Sequence, residues 1–260
     1  MKLGIIGFPT EDSIKATSQL GLKYIEFCMN TKPEELYDRV DEIKSYLDKY
    51  GVNVSAIGRW GVDKYTADKK LIDEELQISY NLIDAASKLG CTVFNTGCNY
   101  VESLSYYENC TLAIEFLSKL IEYGKSRGVR IATYNCHWNN FIVNDMAWTL
   151  IHGYLKDLGI KYDPSHARYA GYDYLSEIQK WGHRFYHMHI KGSLIVDGKR
   201  VDDPPAGLDQ TDWPSIFAIL YAKGYDGVLS IEPHSSVWIG ELGEKGIKYT
   251  INYIRKLMLE

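Results

Sequence analysis

The stretch Leu20-Gly21-Leu-Lys-Tyr-Ile-Glu-Phe-Cys28 carries the unit from which the whole chain is built. A helix beginning at Pro9-Thr-Glu-Asp-Ser stops at Gly21, and an apolar, β-rich run over 22–28 follows at once. Glycine suits that stop because the turn after a helix passes through left-handed backbone, which costs other L-residues. The same device recurs at Tyr50-Gly51, Leu89-Gly90, Arg127-Gly128, Leu158-Gly159 and Lys223-Gly224. Short strands are predicted over 2–8, 22–28, 52–60, 91–96, 129–134, 160–163, 185–190 and 227–231. One helix is predicted from a capping Thr31 to the stop at Gly51, with Leu36, Val40, Ile43 and Leu47 on one face. Others are predicted at 68–89, 103–126, 145–157, 172–180, 213–223 and 241–258, with a polar loop over 196–211.

Eight strands alternating with eight helices in 260 residues predict an α/β chain folded as one (β/α)8 TIM barrel spanning 1–260. An open doubly wound sheet would carry Gly-x-Gly-x-x-Gly after its first strand, where this chain reads Gly4-Ile-Ile-Gly7-Phe-Pro-Thr. No linker or composition break divides the chain. A net charge of −5 supplies no basic field for nucleic acid or an anionic membrane. The five cysteines form no CxxC pair, which argues against a disulfide framework or structural zinc and fits a reducing, cytoplasmic setting. The opening Met-Lys-Leu-Gly-Ile-Ile-Gly-Phe-Pro is too short and glycine-rich for a signal peptide, and no apolar run approaches membrane-spanning length.

In such a barrel chemistry belongs at the C-terminal strand ends, and the polar residues gather there. Phe185-Tyr-His-Met-His-Ile-Lys191 places His187, His189 and Lys191 on one strand face. Imidazoles on a buried strand are costly unless they bind something, and neutral imidazole is a common metal ligand. Glu26, Arg59, Trp60, Asn95, Asn135, His137, Asp163, His166, Glu232 and His234 end or follow the other strands. Carboxylates mixed with imidazoles suit Mn²⁺, Zn²⁺, Co²⁺ or Fe²⁺, with Mg²⁺ also admissible. Glu26 reads either as an acceptor for a substrate hydroxyl or as a buried partner of Arg59. Arg59 itself could clamp a phosphate or carboxylate, or serve a structural ion pair. Lys191 is in phase to contact a substrate oxygen, whereas His187, one strand repeat deeper, reads as an interior histidine. Trp60, Trp138 and Trp238 follow strands and could wall a sugar face or pack loops.

Five stretches in order resemble the xylose isomerase-like barrels, the sugar phosphate isomerase/epimerase group that also includes endonuclease IV. They are Gly21-Leu-Lys-Tyr-Ile-Glu26, Ile160-Lys-Tyr-Asp163-Pro-Ser-His166, His187-Met-His189-Ile-Lys191, Gly207-Leu-Asp-Gln-Thr-Asp212-Trp213 and Gly224-Tyr-Asp-Gly-Val-Leu-Ser-Ile-Glu232-Pro. The resemblance implies one divalent metal ion held by Asp163, His189 and Glu232, with His166 near the substrate oxygens. It also implies that Glu232 shares acid/base work with a glutamate on strand 5. There the chain departs: Thr133-Tyr134-Asn135-Cys136-His137 puts Tyr134 in that glutamate's place. Asn135, facing substrate, or His137 could complete the ligand set, and His137 could act as the second acid/base. A second departure is Lys191-Gly192, where the group commonly has Lys-Asp.

The expected function is metal-dependent isomerisation or epimerisation of a small sugar or sugar derivative through an enediolate. A sugar-binding barrel with a degenerate metal site is the alternative that Tyr134 raises. A phosphodiesterase of the endonuclease IV kind is disfavoured by the acidic charge and by the lack of any histidine between His189 and His234. The expected partner is a small sugar-like molecule, with no nucleic acid or membrane; assembly into a homo-oligomer is left open.

Overall fold

The computed structural model describes residues 1–259. Its strands are β1 (Lys2–Gly7), β2 (Tyr24–Cys28), β3 (Asn53–Arg59), β4 (Val93–Thr96), β5 (Arg130–Tyr134), β6 (Gly159–Tyr162), β7 (Phe185–Ile190), β8 (Leu194–Val196), β9 (Lys199–Asp202) and β10 (Val228–Ile231). All except β8 and β9 pair in parallel around a closed barrel, in which β10 lies between β7 and β1. Closure is set by Lys2 opposite Val228 and Leu3 opposite Leu229 on one side, and by Ser230 opposite His189 on the other. The chain is thus the single TIM barrel expected from its alternation. No helix among the described residues is long and apolar enough to cross a membrane.

The helices are α1 (Glu11–Gln19), α2 (Glu34–Tyr37), α3 (Val40–Tyr50), α4 (Asp73–Lys88), α5 (Tyr106–Arg127), α6 (Asp145–Tyr154), α7 (Pro164–Tyr169), α8 (Tyr174–Trp181), α9 (Trp213–Ala222) and α10 (Gly240–Arg255). Their inward faces, such as Leu82, Ile83 and Ala86 of α4 and Phe116, Leu117 and Leu120 of α5, are buried in the main core around the barrel. Five of the six stop glycines do what the sequence implies: Gly21, Gly51, Gly90, Gly128 and Gly224 have φ between 64° and 70°. Gly159 is a correction, since it opens β6 rather than turning a helix end. Its need for glycine comes from elsewhere, because an added Cβ would collide with the Tyr186 ring.

Three further expectations change. The helix expected from Thr31 to Gly51 is two, because Arg39 leaves helical geometry (φ −118°, ψ 21°) between α2 and α3. Thr31 caps neither: the N-cap of α2 is Pro33, without a side-chain bond. The loop expected over 196–211 contains the hairpin β8–β9, paired antiparallel. The short α7 was not anticipated; Asp163 caps it and Pro164 supplies its first turn.

Candidate functional site

β7 carries its alternation inward as the sequence predicts, and His187, His189 and the following Lys191 are all buried. Across the barrel, Glu26 Oε2 on β2 accepts from His187 Nε2 at 2.7 Å and from His189 Nε2 at 2.8 Å. Burial alone would push the Glu26 carboxyl up, but His189 and His187 outweigh it and hold it well below the usual carboxylate range. An ionised carboxylate can only accept, so both Nε2 atoms carry the protons. That fixes the other edge of His189: Nδ1 lies 3.0 Å from Glu232 Oε2 and 4.0 Å from Asp163 Oδ2. A neutral His189 would then set a lone pair against two carboxylates, so a positive charge is required among them. A proton on Nδ1 meets that need; although burial depresses the His189 imidazolium, Glu26 and Glu232 hold its pKa above the ordinary value. A divalent ion meets it equally.

Asp163 has a divided role. Its Oδ1 accepts from Ser165 N at 2.8 Å, capping α7, while its Oδ2 is buried without a hydrogen bond. Lys191 Nζ lies 3.2 Å from that oxygen and 3.4 Å from Glu232 Oε2, as charge contacts outside hydrogen-bond geometry. Lys191 Nζ also donates to His166 Nε2 at 3.1 Å, and burial drops the His166 pKa to about 3. His166 is therefore a neutral imidazole at the rim, 3.5 Å from Asp163 Oδ2.

These residues fit a divalent ion. Asp163, His189 and Glu232 each offer one ligand atom, all within 4.8 Å of one another. The unbonded Oδ2 of Asp163 and a histidine oriented by a carboxylate on its far nitrogen are what such a centre needs. β5 adds no acid: the Tyr134 hydroxyl donates to Trp138 O at 3.1 Å and accepts from Gly61 N at 3.3 Å. Lys191 is a competing cation, close to two of the three ligands. A small cavity of about 30 Å³, lined among others by Gly192, Asp203, His234 and Trp238, meets the cluster only at Glu232.

The profile of the xylose isomerase-like TIM barrels matches residues 14–257. The chain belongs to that family. A comparison with curated protein sequences gives no match. Among solved structures, the chain is similar to the D-allulose 3-epimerase from Methylomonas sp., with a TM-score of 0.81 and 16% identity over 99% of this chain and 98% of that one. The D-psicose 3-epimerase from Clostridium cellulolyticum H10, crystallised with D-tagatose, gives 0.81 and 13% over 99% of each chain. The E. coli 3-keto-D-glucoside 4-epimerase YcjR gives 0.77 and 15% over 98% of this chain and 99% of that one. At these identities the likeness is one of fold.

Within this xylose isomerase-like barrel, Glu26, Asp163, His166, His187, His189, Lys191 and Glu232 form one connected cluster. Four expected residues lie outside it or face away. Arg59 spends its fork on Glu75, with Nε and Nη2 both at 2.7 Å, and its Nη1 on Met29 O at 2.9 Å, so the structural ion pair is what forms. Glu26 is not its partner. Asn135 faces the backbone: its Nδ2 donates to Asp163 O at 2.9 Å and its Oδ1 accepts from Asp163 N at 2.8 Å. It braces the strand end that presents Asp163. His137 is exposed, its ring 6.4 Å from that of Tyr172. His234 Nδ1 pairs with Asp203 Oδ2 at 2.8 Å.

Trp60 sets its edge against His189, with ring centroids 5.8 Å apart. At Gly192, where the resemblance implies an aspartate, an added Cβ would strike the Pro204 carbonyl oxygen. Sequence reasoning passed over Lys161, which is buried on β6 with Nζ 4.8 Å from the Trp60 ring centroid. The signal was present: Lys161 stands two residues before Asp163, hence on the same strand face.

Proposed function

We propose that this barrel is a divalent-metal-dependent isomerase or epimerase of a small sugar or sugar derivative, working through an enediolate. The observation that carries the reading is the Glu26–His189 bond, which turns Nδ1 toward the Asp163 and Glu232 carboxylates. Asp163, His189 and Glu232 would hold the ion. When bound, it supplies Lewis-acid polarisation of the substrate oxygens and offsets enediolate charge. The likeness to sugar epimerases adds support at the level of fold.

Glu232 is the cluster's carboxylate nearest the mouth, with 12% of its side chain exposed against 0% for Asp163. Burial opposes its charge, yet Lys191 and His189 keep its pKa well below the ordinary value, so it is ionised, and its place at the mouth makes it the cluster's carboxylate for taking a carbon-bound proton. His166 is placed to hold a substrate oxygen. Asn135 and the Ser165 amide keep Asp163 in register. One carboxylate suffices to carry a proton between adjacent carbons on one face of a sugar, whereas inversion needs a second donor opposite. With the Tyr134 hydroxyl already engaged, the geometry favours the isomerisation half of this reading.

The test is exchange of a carbon-bound proton in heavy water, followed by NMR over a panel of ketoses and aldoses. Chelator-sensitive exchange is expected, falling at least about 10²-fold in Glu232→Gln. Wild-type exchange in that variant would remove Glu232 from the chemistry. A second reading, a metal-free sugar-binding barrel, is favoured by the Lys191 ammonium already lying against both carboxylates. Sugar binding indifferent to chelator, with no exchange on any substrate, would select it.

A further inference from the structure

We propose that Lys161 receives a negatively charged oxygen of the substrate. Among the described residues three lysines are buried, and two have a carboxylate at hand: Lys64 meets Glu75 at 2.6 Å, and Lys191 meets Asp163 at 3.2 Å. Lys161, only 2% exposed, has no hydrogen bond and no carboxylate within 4.0 Å among the described residues. Its Nζ lies over the Trp60 ring, 4.8 Å from the centroid. A cation–π contact offsets only part of the cost of burying a lysine, and the carboxylates of Asp163 and Glu232 act on this ammonium only from beyond contact distance, which leaves its own donors unused.

Position gives that cost a use. On β6 Lys161 lies opposite Tyr134 on one side and His187 on the other, and two residues later the same face presents Asp163. The Trp60 ring that it covers is the one set edge-on to His189. The ammonium therefore lies beside the cluster, at the level where β5 contributes a phenol.

Charge balance points the same way, and this step rests on the metal-dependent reading above. Glu26, Asp163 and Glu232 face Lys161 and Lys191, leaving one net negative charge when the histidines are neutral. A divalent ion would convert that to one net positive charge. The loaded site would then suit a ligand carrying a single negative charge. Two sources share that chemistry: a carboxylate resident on a sugar acid, or the oxyanion that develops on a neutral sugar as its enediolate forms.

Calorimetric binding and proton exchange, measured on the metal-loaded protein with D-fructuronate and with its neutral counterpart D-fructose, separate the two. A resident carboxylate predicts that fructuronate binds wild type at least about tenfold tighter than fructose, and that Lys161→Met erases the difference. A developing oxyanion predicts similar binding of both sugars, with Lys161→Met lowering kcat for exchange at least about tenfold at unchanged KM. Unchanged affinities and unchanged exchange in a folded Lys161→Met protein would overturn the proposal, as would wild type showing neither a preference nor exchange. Lys161→Gln provides a second variant should the methionine fail to fold. If neither sugar exchanges but the carboxylate preference depends on Lys161, the isomerase reading fails while the anion site stands.

Discussion

Glu26 shows how one buried carboxylate can organise a site that it does not itself present to substrate. It sits 163 residues from His189 in the chain and accepts from both strand-7 imidazoles through a single oxygen. Its replacement by an amide leaves shape intact but no longer requires Nε2 to carry the proton, so His189 loses its fixed tautomer. Glu26→Gln is expected to weaken Mn²⁺ binding by about 10–100-fold while the protein stays folded. Competition with a metal indicator, with circular dichroism as the fold control, reads this; unchanged affinity would mean that Glu26 does not orient the ligand. At this scale the sequence was legible in phase but not in partnership. Strand alternation correctly put His187, His189 and Lys191 on one face, yet it could not say that Glu26 would meet histidines while Arg59 met Glu75. Asn135 was misplaced for the same reason: the partner it found was backbone, which carries no residue-specific signal.

Elements were more legible than their ends. The barrel strands could be read because each has a short apolar run and most follow a helix stop, and both signals are local. The hairpin β8–β9 also had a local signal, Asp197-Gly198, whose residues adopt φ of 51° and 71° as a two-residue hairpin turn demands. The polar composition around it masked the turn. α7 is only six residues long, too short for periodicity to reveal. On the face of β6 opposite Lys161, the Tyr162 hydroxyl joins the strand to α8 by donating to Glu177 Oε2 at 2.7 Å. Burial lifts the Glu177 pKa from 4.5 to about 7, despite that bond. A carboxyl raised in the folded state binds its proton more tightly there than in the unfolded chain. Its contribution to stability is therefore complete below about pH 4.5 and lost as pH rises through about 7. Glu177→Gln keeps an acceptor for Tyr162 without the charge. Between pH 5 and pH 8 it should gain about 1–2 kcal/mol relative to wild type in urea unfolding, once solvent screening is allowed for. A difference between the two proteins that does not change with pH would contradict this.

At the scale of the whole molecule, barrel closure does what no local pattern can. Pairing β10 with β1 and β7 brings Glu26, Asp163, His189 and Glu232, from four strands spread over most of the chain, onto one axis. The eightfold alternation made that convergence foreseeable; the side-chain bonds within it depend on contacts between distant strands. The proposed function requires this convergence to form a centre for one divalent ion, in competition with the Lys191 ammonium. The most direct measurement is metal stoichiometry and affinity, by mass spectrometry and calorimetry with Mn²⁺, on wild type, Asp163→Asn and Lys191→Met. One ion per chain is predicted for wild type, with binding lost in Asp163→Asn and strengthened about tenfold in Lys191→Met, where the competing charge is gone. A folded wild-type protein that binds no divalent ion, together with a Lys191→Met protein that binds none either, would contradict it.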